Sequence, residues 1–343
     1  MENQIIRFGI VGCGMAARCH AQAIASVKQA ALAGACSRSP ASADSFCRQF
    51  QIRKYPSYRA MLKDPEIDAV SICTPSGSHK EQAVQAMEAG KHVVIEKPMC
   101  LSLQDADEII RLADQTGLAV CVVSQSRFSD AAQEVKRAVD AGAFGKMVSA
   151  ALTMRYFRPQ AYYDQAAWRG TAAGDGGGVL MNQGFHGIDL LCYLLGQPVS
   201  VCGYTAARLR HIEVEDTAAG AVRFSSHALA TIDATVCSHP AFSRQIVLCG
   251  ESGSVILKED SISLWSLPQP CSLPILQTVP FSASADPKAV SCEGHAREYQ
   301  NLVGFLLGKN PLLVDARQGK IALEVILGIY ESSRTGKAVR LSP

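Results

Sequence analysis

At 343 residues, with 48% hydrophobic residues, 19% charged residues and a formal net charge of +2, the chain has length for two domains with buried cores and no electrostatic bias towards nucleic acid or a membrane surface. No apolar run reaches the length of a membrane span, and the start MENQIIRFGIVG enters a strand without a signal-peptide pattern, which predicts a cytoplasmic protein. The 13 cysteines are scattered and form no C-x-x-C pair, and several lie in apolar runs (Cys73, Cys121, Cys249), which predicts buried reduced thiols.

Residues 5–11, IIRFGIV, read as a strand, followed by GCGMAA at 12–17 and a helical run to Lys28. In this pattern Gly12 permits a tight turn, Gly14 lets the backbone approach a pyrophosphate and Ala17 allows close helix–strand packing, so Gly12, Gly14, Met15 and Ala16 are expected to bind a dinucleotide. A second strand at 31–37 ends in Ser37-Arg38-Ser39, with no carboxylate before Asp44. An arginine and hydroxyls suit a 2′-phosphate, which tips the cofactor preference between NAD and NADP towards NADP. Helices are expected at about 40–50 and 57–63, then a buried strand at 68–76 ending in Thr74-Pro75-Ser76, which would line the cofactor cleft. His79, in the helix from 77 to 89, either faces the ribose or fills the first turn. The apolar, β-branched run Val93-Val94-Ile95 predicts a strand that stops at Glu96-Lys97-Pro98. Ligands of open α/β sheets bind at the carboxyl ends of strands, so Lys97 is expected where a ligand sits. A helix at 102–116 and a strand at 119–124 complete a βαβ rhythm over 1–125, which predicts a doubly wound parallel sheet.

Beyond a helix at 130–141 the alternation ends. Candidate strands at 146–157, 200–210, 217–224, 228–237, 244–249, 253–258 and 261–267 predict an α+β domain over 126–343 on a mostly antiparallel open sheet. Helices at 294–308 and 316–335 follow, the last expected to pack back on the first domain, and the Pro- and Ser-rich piece 266–288 reads as loop or ragged edge strand. Within this half, the three glycines 176–178 suggest a flexible entry to a helix running from Val179 to Gly196. Asn182, His186 and Asp189, spaced i, i+4, i+7, share one face of that helix. A polar stripe there is either functional or a set of hydrogen-bonded core groups. A metal site from His186 and Asp189 finds no further ligands at suitable spacing, so no metal is expected.

The motifs GIVGCGMAA, ICTPSGSH, VVIEKPM, QSRF at 125–128, WRG at 168–170, GGGVLMNQGFHGIDLL and the run from GHAREY to ALEVILGIYESSRTGKAVRL together resemble the Gfo/Idh/MocA family of NAD(P)-dependent oxidoreductases over essentially the whole chain. The resemblance implies a Rossmann domain, a dimer or tetramer, a small carbohydrate substrate, and Lys97 near the nicotinamide and the substrate hydroxyl. It adds Glu96, Gln125, Trp168 and Arg169 to the cofactor site, with core packing as the alternative for Trp168, and places Arg127 and Tyr156 with the substrate. The family commonly has aspartate four residues before the helix histidine. Asn182 stands there instead, as in the branch that includes UDP-N-acetylglucosaminuronate 3-dehydrogenases.

Asparagine cannot take a proton, so acid–base duty is expected of His186, with Lys97 assisting, while Asn182 and Asp189 orient neighbouring hydroxyls; Asp189 could instead hold the His186 ring. The implied reaction is hydride transfer between nicotinamide and a secondary ring hydroxyl, C3 favoured, of a pyranose sugar, glycoside or sugar nucleotide. An inositol or polyol dehydrogenase, a keto-sugar reductase and a non-catalytic dinucleotide-binding sensor are the alternatives.

Overall fold

The computed structural model describes residues 4–276 and 292–342. The chain divides into two compact units, 1–125 with 291–320, and 126–290 with 321–343.

The first unit is built on a six-stranded parallel sheet. Its strands are β1 (Ile6–Val11), β2 (Ala30–Cys36), β3 (Arg53–Lys54), β4 (Ala69–Ile72), β5 (His92–Ile95) and β6 (Val120–Val122) in the spatial order β3-β2-β1-β4-β5-β6. Between them run α1 (Met15–Ser26), α2 (Pro40–Phe50), α3 (Tyr58–Leu62), α4 (His79–Glu88) and α5 (Leu103–Thr116). Serine starts three of these helices: Ser39, Ser57 and Ser102 each accept a backbone N–H of the first turn, and Gly117 ends α5 in the left-handed conformation. All four residues of β4 are buried, as a strand covered on both faces requires. Val11, Ile72 and Ile95 stand in register across β1, β4 and β5, so Gly12, Cys73 and Glu96 leave the sheet along one edge. That edge includes the β1/β4 boundary, where the winding direction reverses and such sheets bind their ligands.

The second unit carries α6 (Asp130–Asp140), α7 (Gln160–Asp164), α8 (Ala172–Asp175) and α9 (Phe185–Leu195) beside an eight-stranded sheet. Its strands are β7 (Met147–Arg155), β8 (Pro198–Ala206), β9 (Thr217–Phe224), β10 (Leu229–Thr235), β11 (Gln245–Gly250), β12 (Gly253–Lys258), β13 (Ser261–Ser266) and β14 (Val339–Arg340), in the order β13-β12-β11-β7-β10-β9-β8-β14. Every pairing is antiparallel except β7 with β10, which run parallel from Ser149↔Leu229 to Arg155↔Thr235. Period-two alternation divides the faces. Ala150, Leu152, Val222, Ala230, Ile232, Ile246 and Leu248 are buried on one, whereas the other presents Ser149, Ala151, Cys202, Ala221, Leu229, Thr231 and Val247.

Two further helices complete the chain, α10 (Glu293–Leu306) and α11 (Ala316–Thr335). The expectation that 126–343 forms one domain is corrected by α10. Its Tyr299, Leu302 and Val303, with Leu307, lie in the core around Phe8, Ile10 and Ile24 of the first unit. The start of α11 also belongs there, with Arg317 paired to Asp114 at 2.5 Å and Lys320 to Asp107 at 2.6 Å. Part of the 266–288 segment, from 277 on, lies outside the described residues. Among the described residues no helix is long and apolar enough to cross a membrane.

Candidate functional site

The turn after β1 has the shape its glycines imply. Gly12 takes φ +92°, and a Cβ there would meet Cys73 O at 2.5 Å, so only glycine lets the chain pass the end of β4. At Gly14 an added Cβ would meet nothing within 4 Å, which leaves room over the start of α1, and no side chain caps that helix. Ala17 is fully buried beneath, while Met15 and Ala16 are exposed. Backbone N–H groups at an uncapped helix start fit a pyrophosphate. Past β2, Arg38 is exposed and Ser37 Oγ accepts from Ser39 N, while Asp44 is already paired with Lys54 at 2.7 Å.

At the end of β4, Thr74, Pro75 and Ser76 are half-buried, Thr74 bonding Gln82 at 2.6 Å and accepting from Ser78 at 3.0 Å. His79 fills the first turn of α4 and does not face a ribose. The side chain is 1% exposed, with Nδ1 2.8 Å from Pro98 O and Nε2 2.8 Å from Thr74 O. It staples the loop after β4 to the loop after β5. Burial lowers its pKa, against the two carbonyls that favour a proton.

Lys97 is half-buried at the end of β5, and its backbone N–H donates to Glu96 Oε2 at 3.0 Å. Glu96 itself turns inward. Its Oε1 lies 2.9 Å from His20 Nε2 and 3.8 Å from His295 Nε2, while His20 Nδ1 meets the Tyr299 hydroxyl at 2.7 Å and Tyr299 meets Ser71 at 2.5 Å. Burial acts to raise the Glu96 pKa, but hydrogen bonds and charge from His20 and His295 outweigh it and hold the carboxyl well below the usual range. Glu96 thus anchors the motif from beneath. Gln125 is half-buried at the end of the first unit.

In the second unit the expected polar stripe is divided. Asp189 is fully buried in a bidentate pair with Arg127, Nε to Oδ2 at 2.8 Å and Nη2 to Oδ1 at 2.6 Å, with the guanidinium over the Tyr193 ring. Contrary to expectation, neither side chain is exposed to meet a substrate, and the Asp189 carboxylate holds Arg127, not His186. The predicted continuous helix is also corrected, because Val179–Gln183 forms a π turn closed by Gly184 N to Val179 O before α9 starts. In place of the open entry expected there, Gly177 and Gly178 are tightly packed. A Cβ at Gly178 would fall 1.7 Å from Glu215 O, and the Glu215 carboxylate accepts from Gly178 N, Leu180 N and the Tyr330 hydroxyl. Asn182 donates Nδ2 to Asp175 Oδ1 at 2.9 Å, and Asp175 Oδ2 accepts from Gly170 N. His186 is half-buried in the first turn of α9.

Tyr156, expected at the substrate, is 7% exposed, and burial raises its pKa. Arg169 stacks on Tyr162 with its centre 4.5 Å from the ring and donates to Tyr162 O, while Trp168 stays half-buried beside it. Arg158 lies over Tyr162 and Arg210 over Phe157. The Nε atoms of Arg169 and Arg210 and the Tyr163 hydroxyl are buried without a partner among the described residues. The loop carrying Arg210 is shaped by buried Asp216, which accepts from the backbone of Arg208, Leu209 and Arg210.

Sequence reasoning missed Asp175, Glu215, His20, Tyr299 and His295. Asp175 stood in view inside GDGGG, where an acid beside glycines can bind backbone N–H groups. The expectation of reduced thiols fails at one pair, for Cys19 and Cys292, 273 residues apart, are disulfide-bonded. Burial raises the free thiols Cys13 to about 11 and Cys36 and Cys100 to about 12.

Residues 6–124 match the family model for an oxidoreductase family with an NAD-binding Rossmann fold, and residues 132–256 match the GFO/IDH/MocA C-terminal domain. The crystal structure of the WlbA dehydrogenase from Bordetella pertussis, in complex with NADH and UDP-GlcNAcA, is 34% identical, covers 99% of this chain and 100% of its own, and superposes with a TM-score of 0.88. Scyllo-inositol 2-dehydrogenase (NAD(+)) of Bacillus subtilis is 27% identical over 99% of this chain and 97% of its own length. D-glucoside 3-dehydrogenase of Escherichia coli is 23% identical over 99% of both. With an uncapped, glycine-lined helix start at the switch point of a parallel sheet and family matches in both units, this chain belongs to the GFO/IDH/MocA family of NAD-dependent oxidoreductases.

Proposed function

We propose that the chain oxidises the 3-hydroxyl of a pyranose carried by an anionic sugar nucleotide or a related glycoside, with Lys97 and His186 handling the proton. The observation that carries this reading is the end-to-end similarity to the WlbA dehydrogenase, whose complex holds NADH and UDP-GlcNAcA. Arginines on aromatic rings support a negatively charged substrate: Arg158 and Arg169 lie over Tyr162 and Arg210 over Phe157, and the Nε atoms of Arg169 and Arg210 are buried without a partner among the described residues. The bound nicotinamide supplies the hydride acceptor, or the donor in reverse. Lys97, presented from a rigid strand end, hydrogen-bonds the reacting oxygen and steadies its developing charge. His186 takes the hydroxyl proton, and Asn182, oriented by Asp175, positions the ring. The reading requires the lysine amine and the histidine ring to meet at one oxygen.

Exposed Arg38, with Asp44, the first carboxylate after it in sequence, already paired with Lys54, supports acceptance of NADP as well as NAD, with NADP favoured. The small, half-apolar outer sheet face, with Tyr204 and Leu229 exposed on it, supports assembly as a homodimer or homotetramer.

A cyclitol substrate is the second reading, favoured by the full-length match to an inositol dehydrogenase. Nicotinamide absorbance with UDP-N-acetylglucosaminuronate, alkyl glucosides and inositols, each with NAD and NADP, separates the two. We expect kcat/KM for the nucleotide sugar to exceed that for any inositol by roughly 100-fold. Preference for an inositol would overturn the assignment.

A further inference from the structure

Hydride transfer makes no use of the sulfur pair in the first unit. Cys19, on α1, and Cys292, at the start of α10, are each half-buried, with Cα atoms 5.4 Å apart. Cys19 Sγ lies 3.5 Å from His295 Nδ1, and the other ring nitrogen faces Glu96 Oε1 at 3.8 Å. Cys292 Sγ lies 3.3 Å from Gln22 Oε1. A thiol, an imidazole and a carboxylate in sequence are the parts of an activated sulfur nucleophile.

We infer that Cys19 and Cys292 are a reversible thiol–disulfide modification site that reacts with low-molecular-weight disulfides, Cys19 attacking, His295 acting as its base and Glu96 supporting the charged ring. In the reduced protein His295 Nδ1 accepts the Cys19 proton. The thiolate attacks one sulfur of the incoming disulfide, whose S–S bond breaks, and the departing thiolate takes the proton from His295. Cys292 then loses its proton to solvent and attacks the Cys19 sulfur, forming the internal disulfide and expelling the second small thiol. Two protein thiols are oxidised and one external disulfide is reduced to two thiols. Three other thiols of the first unit do not compete, because burial keeps Cys13, Cys36 and Cys100 protonated at neutral pH. Glu96 also accepts the Lys97 backbone N–H, so the state of the sulfurs reaches the carboxylate under that lysine.

The test uses the full chain, reduced with dithiothreitol, freed of it and exposed to oxidised glutathione, with peptide masses read after iodoacetamide. Expected are a Cys19–Cys292 cross-link and, in the reduced protein, alkylation of Cys19 about tenfold faster at neutral pH than of exposed Cys202. Cys292→Ser should stop at a mixed disulfide of Cys19 with one glutathione, and His295→Gln should bring the Cys19 rate down to that of Cys202. If His295→Gln fails to fold, the wild-type pH profile decides. Half-maximal Cys19 alkylation below the ordinary thiol pKa of about 8.5 supports the site, and a midpoint at or above it overturns it. Equal rates for Cys19 and Cys202, or cross-links among other cysteines, overturn it as well. No turnover is measured, so the outcome is independent of the proposed substrate.

Discussion

Lys97 is two residues past a buried strand, following Glu96, whose own N–H donates to Ile72 O and whose carboxylate accepts the Lys97 N–H. Replacing it with Met keeps the length and removes the amine. Turnover should fall by roughly 10²- to 10⁴-fold, while dinucleotide binding, followed by nicotinamide fluorescence, stays close to wild type. Near-normal turnover would remove Lys97 from the mechanism. The position of Lys97 was legible because a strand end is a local pattern. Its supports were not, since the Glu96–His20 and His20–Tyr299 contacts join residues 76 and 279 apart, and no spacing within either segment encodes such a pairing. For His79 the helix position was equally readable, but the two carbonyls that claim its nitrogens come from different loops.

At the level of elements, the stretch 179–195 shows what periodicity can and cannot say. Apolar recurrence identified a helical segment, yet its first turn is a π turn whose start, at Gly178 and Leu180, is bonded to Glu215, a residue over thirty positions away. The same limit applies to Arg127 and Asp189, each polar and each attractive as a substrate group until their mutual pairing is seen. That pair ties the turn Gln125–Phe128 to α9. Arg127→Met strands a buried carboxylate and should cost about 3–5 kcal/mol in urea unfolding, while Arg127→Met with Asp189→Leu should recover most of the loss. A single variant as stable as the parent would show that the pair carries no structural load.

For the molecule as a whole, pH is a direct probe of the buried relay. The folded pKa of Glu96 lies well below its ordinary value of 4.5, so the unfolded chain binds its proton first on acidification. Its contribution is present above the unfolded pKa and is lost as pH falls through the folded one. Urea midpoints followed from about pH 7 to about pH 3 should therefore fall less steeply for Glu96→Gln than for wild type; parallel curves would sink the assignment. The parallel and mostly antiparallel sheets were both readable from the rhythm of elements. Two-residue strands such as β3 and β14 have no rhythm to read, and α10 enters the first core through Tyr299 and Leu302, whose apolar character names no destination. The crossover imposed by the parallel β7–β10 pair has a further effect. The stretch from Tyr156 to Gln197 departs from the end of β7 and re-enters at β8; Tyr156 N and Arg158 N still donate to Thr235 O and Val236 O, and α9 returns onto β7 through Gly187. Because α9 is held in the core, insertions in this excursion can be absorbed only in the exposed turns between its anchored parts, and the scaffold keeps its alignment.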